Sequence, residues 1–194
     1  MKVRSLTGRE MEQALPALAR LRIEVFRAYP YLYAGTEGYE LDYLHNFSRA
    51  PDALIVTAEN EAGEIVGCAT GSALTVHHVE FAEPLVDAGI DLATTFYFGE
   101  SVLLPAYRGH GIGHAFFDAR EAHALAHGFK RACFCAVERP ADHPQRPDEY
   151  SPLDAFWTAR GYSHLAGAVS HFDWPETPGG PQIVHRMHYW TRSF

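Results

Sequence analysis

Val102-Leu103-Leu104-Pro105-Ala106-Tyr107-Arg108-Gly109-His110-Gly111-Ile112-Gly113 is the stretch on which the reading of this 194-residue chain turns. The strand-like run Thr94 to Leu103 ends at Pro105, and three glycines crowd the next segment. From Gly111, apolar positions recur at helical spacing through Ile112, Phe116, Ala119 and His123, and Gly128 suits a left-handed cap. A strand that turns through glycine into a long helix leaves the first helical N–H groups unpaired at the positive end of the helix dipole. Glycine lets the backbone approach a ligand and adopt positive φ. Arg108 adds a cation with several donors beside this nest. The natural guest is a phosphate or pyrophosphate.

Other readings meet the same glycines. A P-loop requires lysine and then Ser or Thr after its last glycine, whereas His114-Ala115 follow Gly113. A dinucleotide fingerprint requires GxGxxG, but Gly109-x-Gly111-x-x runs into His114, well after the chain's first strands. A tight turn that binds nothing is the third alternative.

Working outward, Val3 to Leu6 reads as a strand, and Thr7 with Glu10 has capping-box spacing. Ala14, Leu18, Leu21 and Val25 predict a helix from about 10 to 28, with Pro16 in its first turns or at a kink. The aromatic stretch Tyr29 to Phe47 holds a short helix around Leu41 and Leu44. Ala53–Ala58 and Ile65–Thr70 form a hairpin through Asn60 and Gly63, and 77–92 is irregular. Cys133 to Val137 is another strand, and a proline-rich loop runs from Glu138 to Tyr150. Ser151-Pro152-Leu153-Asp154 starts a helix, with Ser151 as the capping hydroxyl, and Gly161 stops it. His164–Trp174 and Gln182–Trp190 close the chain as strands. The order β-α-α-β-β-β-α-β-α-β-β means an α/β (mixed α+β) fold: a mixed sheet with helices on its faces. No repeat or internal boundary divides it, so one domain over 1–194 is expected.

Apolar residues at 47% and charged ones at 21% describe an ordinary globular chain. No apolar run approaches the length of a membrane span, and Met1-Lys2-Val3-Arg4 opens no signal core, so a cytoplasmic protein without membrane contact is expected. A net charge of −8 argues against nucleic acid as the main partner. Three cysteines make no disulfide framework, and Cys133 and Cys135 share one strand face as core residues. His123 and His127, His77-His78, and His185 with His188 are each too few for a metal site, so no metal is expected.

Arg-Gly-x-Gly-Ile-Gly after a strand ending Val-Leu-x-Pro-x-Tyr resembles motif A of the GNAT superfamily of N-acetyltransferases. Ala155-Phe156-Trp157-Thr158-Ala159-Arg160-Gly161-Tyr162 resembles that family's late helix with its Gly-aromatic ending. The resemblance implies a mostly antiparallel sheet splayed between strands 4 and 5, and acetyl-CoA as cosubstrate. Carried over by position, Arg108, Gly109, His110, Gly111, Ile112, Gly113 and His114 cradle the pyrophosphate. Val102, Leu103 and Leu104 offer backbone groups to the pantetheine arm. The implied activity is acetyl transfer to a primary amine, by direct attack in a ternary complex; the acidic, compact chain favours a small-molecule acceptor, with a peptide amino group as the other candidate. A non-catalytic acyl-CoA-binding module is the alternative.

An alkyl ammonium titrates near pH 10, as a rule of about that size, so a base must remove its proton, and the departing thiolate needs an acid. Glu100 is the candidate base, or else a structural or substrate-orienting carboxylate. The family's glutamate usually stands where this chain has Tyr97, and its tyrosine acid stands where this chain has Trp157, so Tyr97 and Tyr150 are the substitutes considered. The acceptor side draws on the aromatic stretch, chiefly Tyr31 and Tyr33, and on Glu138 and His143 of the following loop; packing of those aromatics on the sheet is the alternative. The closing strands leave a homodimer open. If the cradle holds a pyrophosphate, Arg108→Ala weakens acyl-CoA binding by about tenfold or more in calorimetry; unchanged affinity refutes the placement.

Overall fold

The computed structural model describes residues 1–6, 8–50, 52–76 and 79–194. Thr7 of the expected capping box and the His77-His78 pair lie outside them. Seven strands form one sheet in the order β1-β2-β3-β4-β5-β7-β6. They are β1 (Lys2–Leu6), β2 (Leu54–Glu59), β3 (Ile65–Ala73), β4 (Thr95–Leu103), β5 (Arg131–Val137), β6 (Ser163–Trp174) and β7 (Ile183–Ser193). The helices are α1 (Arg9–Phe26), α2 (Glu37–Ser48), α3 (Val79–Asp87), α4 (Ile112–Ala126) and α5 (Asp154–Ala159). All neighbouring strands are antiparallel except β4 and β5.

Two elements differ from the sequence expectation. Helix α3 occupies part of the stretch expected to be irregular; Pro84 stands inside it, where a proline is ordinarily read as a helix breaker. Helix α5 begins at Asp154 with Leu153 as its cap residue and no side-chain cap hydrogen bond, so Ser151 does not cap it.

The helices cover both faces, and strand alternation shows which residues meet them. Phe96, Phe98, Ala132, Phe134 and Trp190 pack with Ile112, Phe116 and Phe117 of α4 and with Phe156 and Trp157 of α5. On the opposite face Ile55, Cys68 and Val102 pack with Leu15, Leu18 and Leu21 of α1 and Leu44 of α2. Tyr97, Cys133 and Cys135 share a third cluster with Leu85 of α3 and with Tyr189.

Strand β4 changes phase along its length. Gly71 stands opposite Phe98 and Ala69 opposite Ser101, so Gly99 and Glu100 together face Thr70. This is a β-bulge, one extra residue on β4. The Glu100 N–H donates to Thr70 Oγ1 at 3.2 Å. Without the bulge, Tyr97 and Glu100 would point to opposite faces. With it, Glu100 turns toward α1 while Ser101 turns toward α4.

Arg120 of α4 fixes the bulge from below. It is 1% exposed, and its guanidinium donates to the carbonyls of Thr70 and Glu100, both at 3.3 Å, and to Ser101 Oγ at 2.8 Å. Phe98 and Phe117 flank it at 4.2 and 4.8 Å. Removing such a donor strands buried carbonyls as well as losing its own contacts. Arg120→Leu is therefore expected to destabilise the chain by about 2–4 kcal/mol in denaturant unfolding; a change within about 0.5 kcal/mol would show that the bulge does not depend on it.

Candidate active site

Strands β4 and β5 pair in parallel only from Thr95 to Tyr97 against Arg131 to Cys133. Beyond Tyr97 they separate, and a cleft of about 1150 Å³ opens between them. Its walls are the end of α1, the 29–31 segment, the turn before α4, the 147–154 stretch and the first turn of α5. Buried backbone groups left unpaired in a sheet cost free energy unless something binds them.

At one end the cleft meets the glycine turn. Gly109 and Gly111 both have φ of 79°, the left-handed region that glycine occupies without strain. Gly111 is the residue before α4, and the first helical hydrogen bond is the one from Ala115 N–H to its carbonyl. The amides of Ile112, Gly113 and His114 thus stand at the open N-terminus of a 15-residue helix. Arg108, Gly109, Gly111, Ile112, Gly113 and His114 all line the cleft, so six of the seven residues expected in the cradle are brought together at this end. His110 lies outside the lining, exposed, with Nδ1 at 3.3 Å from the Tyr107 carbonyl.

Of the three residues expected at the pantetheine arm, one turns its backbone groups to the cleft. Leu104 N–H donates to the Val66 carbonyl of β3 at 3.0 Å. Alternation then turns the backbone groups of Val102 to β3 as well, and those of Ser101 and Leu103 toward the gap. Val102 and Leu104 therefore offer nothing to the cleft, and Ser101 joins Leu103 on its open edge. Arg108 Nε donates to the Leu103 carbonyl at 3.2 Å, which ties the cradle's cation to that edge.

Glu100 lies on the cleft wall, 5% exposed. Its Oε2 pairs with Arg22 Nη1 of α1 at 2.6 Å, and Arg22 Nε donates to Glu40 of α2. The Tyr33 hydroxyl donates to the other Glu40 oxygen at 2.6 Å. Tyr43 and Phe26 stack against the guanidinium at 4.5 and 5.3 Å. Two carboxyl groups thus share one buried guanidinium. Glu100 Oε1 has no hydrogen-bond partner among the described residues.

The remaining expected residues divide. Tyr150 lines the cleft, its ring edge-on to Tyr29 at 4.7 Å, and burial raises its hydroxyl above the ordinary tyrosine range. Tyr31 lines it too, its ring against Phe26 and its carbonyl held by Arg139 Nη2 at 2.8 Å. Glu138 lines it, and a hydrogen bond from His188 at 2.7 Å lowers its carboxyl below the usual range. Tyr97 does not reach the cleft: it is 3% exposed in the third core cluster, with its hydroxyl 3.0 Å from Cys135 Sγ. Burial raises both groups, the Cys135 thiol to about 12. Tyr33 serves Glu40 behind the wall, and His143 sits behind Tyr29, accepting the Gln145 N–H. Trp157 packs on Phe134 and Trp190.

Arg22, Arg120 and Arg139 went unrecognised in the sequence reading. The signal for two of them was available: Arg22 follows Leu18 by four, and Arg120 follows Phe116 by four, so each is a charge on the apolar stripe of its helix. His123 and His127 stack at 4.0 Å, and no group of three His, Cys, Asp or Glu that could hold a metal occurs among the described residues.

A profile of the Acetyltransferase (GNAT) family matches residues 18–147. The chain belongs to the GNAT acetyltransferase family. Solved structures agree in fold across the whole chain. The ribosomal-protein-alanine N-acetyltransferase of Brucella melitensis superposes with a TM-score of 0.62 at 14% identity, covering 100% of both chains. An N-acetyltransferase from Staphylococcus aureus Mu50 gives 0.63 at 13%, covering 100% of this chain and 99% of that one. A phosphinothricin acetyltransferase from Sinorhizobium meliloti, solved in complex with AcCoA, gives 0.57 at 15%, covering 100% and 88%. A search of curated protein sequences returns no match. The splayed sheet and glycine turn described above are thus those of a GNAT fold, and no helix among the described residues is long and apolar enough to cross a membrane.

Proposed function

We propose that this GNAT chain transfers an acetyl group from acetyl-CoA to a primary amine of a small molecule, by direct attack in a ternary complex and without a metal. One observation carries the reading: a single cleft runs from the helix-terminal amides of the cradle to the wall that Glu100 forms, a carboxyl group with one buried oxygen unpartnered among the described residues. The two ends suit the two reactants, a polyanion at one and an amine at the other.

Arg108 and the amides of Ile112, Gly113 and His114 hold the pyrophosphate, where dipole and donors outweigh the chain's overall negative charge. The edge of Ser101 and Leu103 pairs with the pantetheine amides. Acetyl-CoA supplies the activated acyl group as a thioester. Glu100 Oε1 accepts the proton of the amine, while Arg22 holds the other oxygen in place. Tyr150, on the wall of the same cleft, serves as the acid toward the departing thiolate. Tyr97, Tyr33 and His143 have no role in this scheme.

Thiol release from acetyl-CoA across an amine panel tests the reading. Turnover is expected, and Glu100→Gln and Tyr150→Phe are each expected to lower kcat by about 10²-fold or more with acetyl-CoA affinity retained. Tight acetyl-CoA binding with no turnover on any amine would instead identify a non-catalytic acyl-CoA-binding module. Near-normal turnover in a variant removes that residue from its role.

A further inference from the structure

Amide formation from an ammonium takes two protons off the nitrogen: the ammonium and acetyl-CoA give the acetamide, the free thiol and one H+. One proton ends on sulfur, and the other must reach water. Glu100, with a side chain 3% exposed and held by Arg22, accounts for one acceptor only. The opposite strand carries a second set of titratable groups. Glu138 directly follows β5, whose Cys135, Ala136 and Val137 line the cleft, and its N–H donates to the Arg186 carbonyl of β7 at 2.9 Å. Glu138 Oε2 is 2.7 Å from His188 Nε2, and His188 Nδ1 is 2.9 Å from Nε2 of His164 on β6. All three residues line the cleft.

The chain of bonds has a direction. A carboxylate only accepts, so His188 Nε2 carries the proton of the first bond. A neutral imidazole then has a bare Nδ1, so the second bond takes its proton from His164 Nε2. His164 Nδ1 is left bare, with no partner among the described residues. The two rings lie 29° from coplanar, which suits a bond in the ring plane. The bond from His188 holds the Glu138 carboxyl below the usual range, and Arg186 Nη1, the other cation on it, adds to this from 3.3 Å. A carboxylate that sets a histidine's tautomer, and so presents a bare nitrogen, is the arrangement of an acid–base device. Trp190 backs His164 at 5.7 Å and packs in turn on Trp157 of α5.

We propose that Glu138, His188 and His164 form the outlet for the acceptor's first proton, with His164 Nδ1 as a further catalytic base that meets the incoming ammonium. The proposal rests on the transferase reading and supplies the second proton acceptor which that chemistry requires. The ammonium gives a proton to His164 Nδ1, and the Nε2 proton of His164 passes to His188 Nδ1. The positive charge then sits on His188, beside the Glu138 carboxylate. The neutral amine attacks the thioester carbon; the C–N bond forms and the C–S bond breaks. Glu100 takes the second proton of the nitrogen, which replaces the one that Tyr150 gives to sulfur. His164 is exposed, so the relay returns its proton to water.

Two measurements test the relay. Long-range 15N–1H correlation spectra of the wild-type chain, labelled at histidine and held above the histidine titration range, are expected to show His164 and His188 as Nε2–H tautomers. Initial rates are then taken for the most active alkylamine of the panel at saturating acetyl-CoA. At about pH 7, His164→Gln and Glu138→Gln, both at exposed positions, are each expected to lower kcat/KM for the amine about tenfold or more. At about pH 9.5 both are expected within about twofold of wild type, because an amine titrating near ~10 then arrives largely free of the need for a base. The KM for acetyl-CoA stays unchanged. An Nδ1–H tautomer at either histidine, full activity of the variants at neutral pH, or a deficit that persists undiminished in alkali would overturn this inference alone. Absence of turnover on every amine would overturn the transferase reading and the relay with it.

Discussion

Parallel pairing between β4 and β5 stops after three residue pairs, and the rest of the site follows from that. A sheet that continued to pair would bury the backbone of Ser101 and Leu103 and leave no cleft. Two features hold the strands apart. The bulge at Gly99 and Glu100 rephases β4 immediately after the last paired residue, and α5 wedges Phe156 and Trp157 against Phe134 and Phe117 on one face. The open edge is then a ready template for an extended ligand.

The bulge also decides where charge sits. It sends Glu100 to the α1 face and its neighbour Ser101 to the α4 face, and each direction is met by a buried arginine. Arg120 is fully used by main-chain and hydroxyl acceptors. Arg22 is shared between two carboxylates and leaves one of their oxygens unsatisfied. Buried ion pairs of this kind are weak grounds for stability and better understood as fixing geometry. Here the fixed element is the Glu100 carboxyl group, in the wall of a cleft whose far end is a helix N-terminus. Arg139 does comparable work nearby, holding the carbonyls of Pro30 and Tyr31 at 2.7 and 2.8 Å and Glu176 at 2.6 Å, which anchors the aromatic wall to the β6–β7 end of the sheet.

What was legible in the chain was local. The strand-glycine-helix junction is a short-range pattern, and residues 108–114 formed the expected turn because glycine φ and helix termini depend on neighbours in sequence. Alternation placed Cys133 and Cys135 on one face for the same reason. What was not legible depended on pairing. Val102 and Leu104 were expected to face the cofactor, but which edge of a strand is free is settled by its partner β3, whose Cys68 and Val66 stand opposite Val102 and Leu104 from an earlier part of the chain. Tyr97 failed likewise: its distance from Glu100 looked like a choice between two catalytic positions, whereas the bulge puts both on one face and only Glu100 beside the opening. Pro84 stands inside helix α3, where a proline is ordinarily read as a breaker; the long-range tie of Arg22 has no local signature beyond a charge on an apolar stripe, and that of Arg139, in a loop, has none.

The most direct test of the open β4–β5 edge is a crystal structure of the chain with CoA. The account predicts diphosphate oxygens on the amides of Ile112, Gly113 and His114 beside Arg108, and pantetheine amides hydrogen-bonded to Ser101 and Leu103 between the parted strands. CoA bound outside that cleft, or β4 and β5 paired through Leu103, would contradict it.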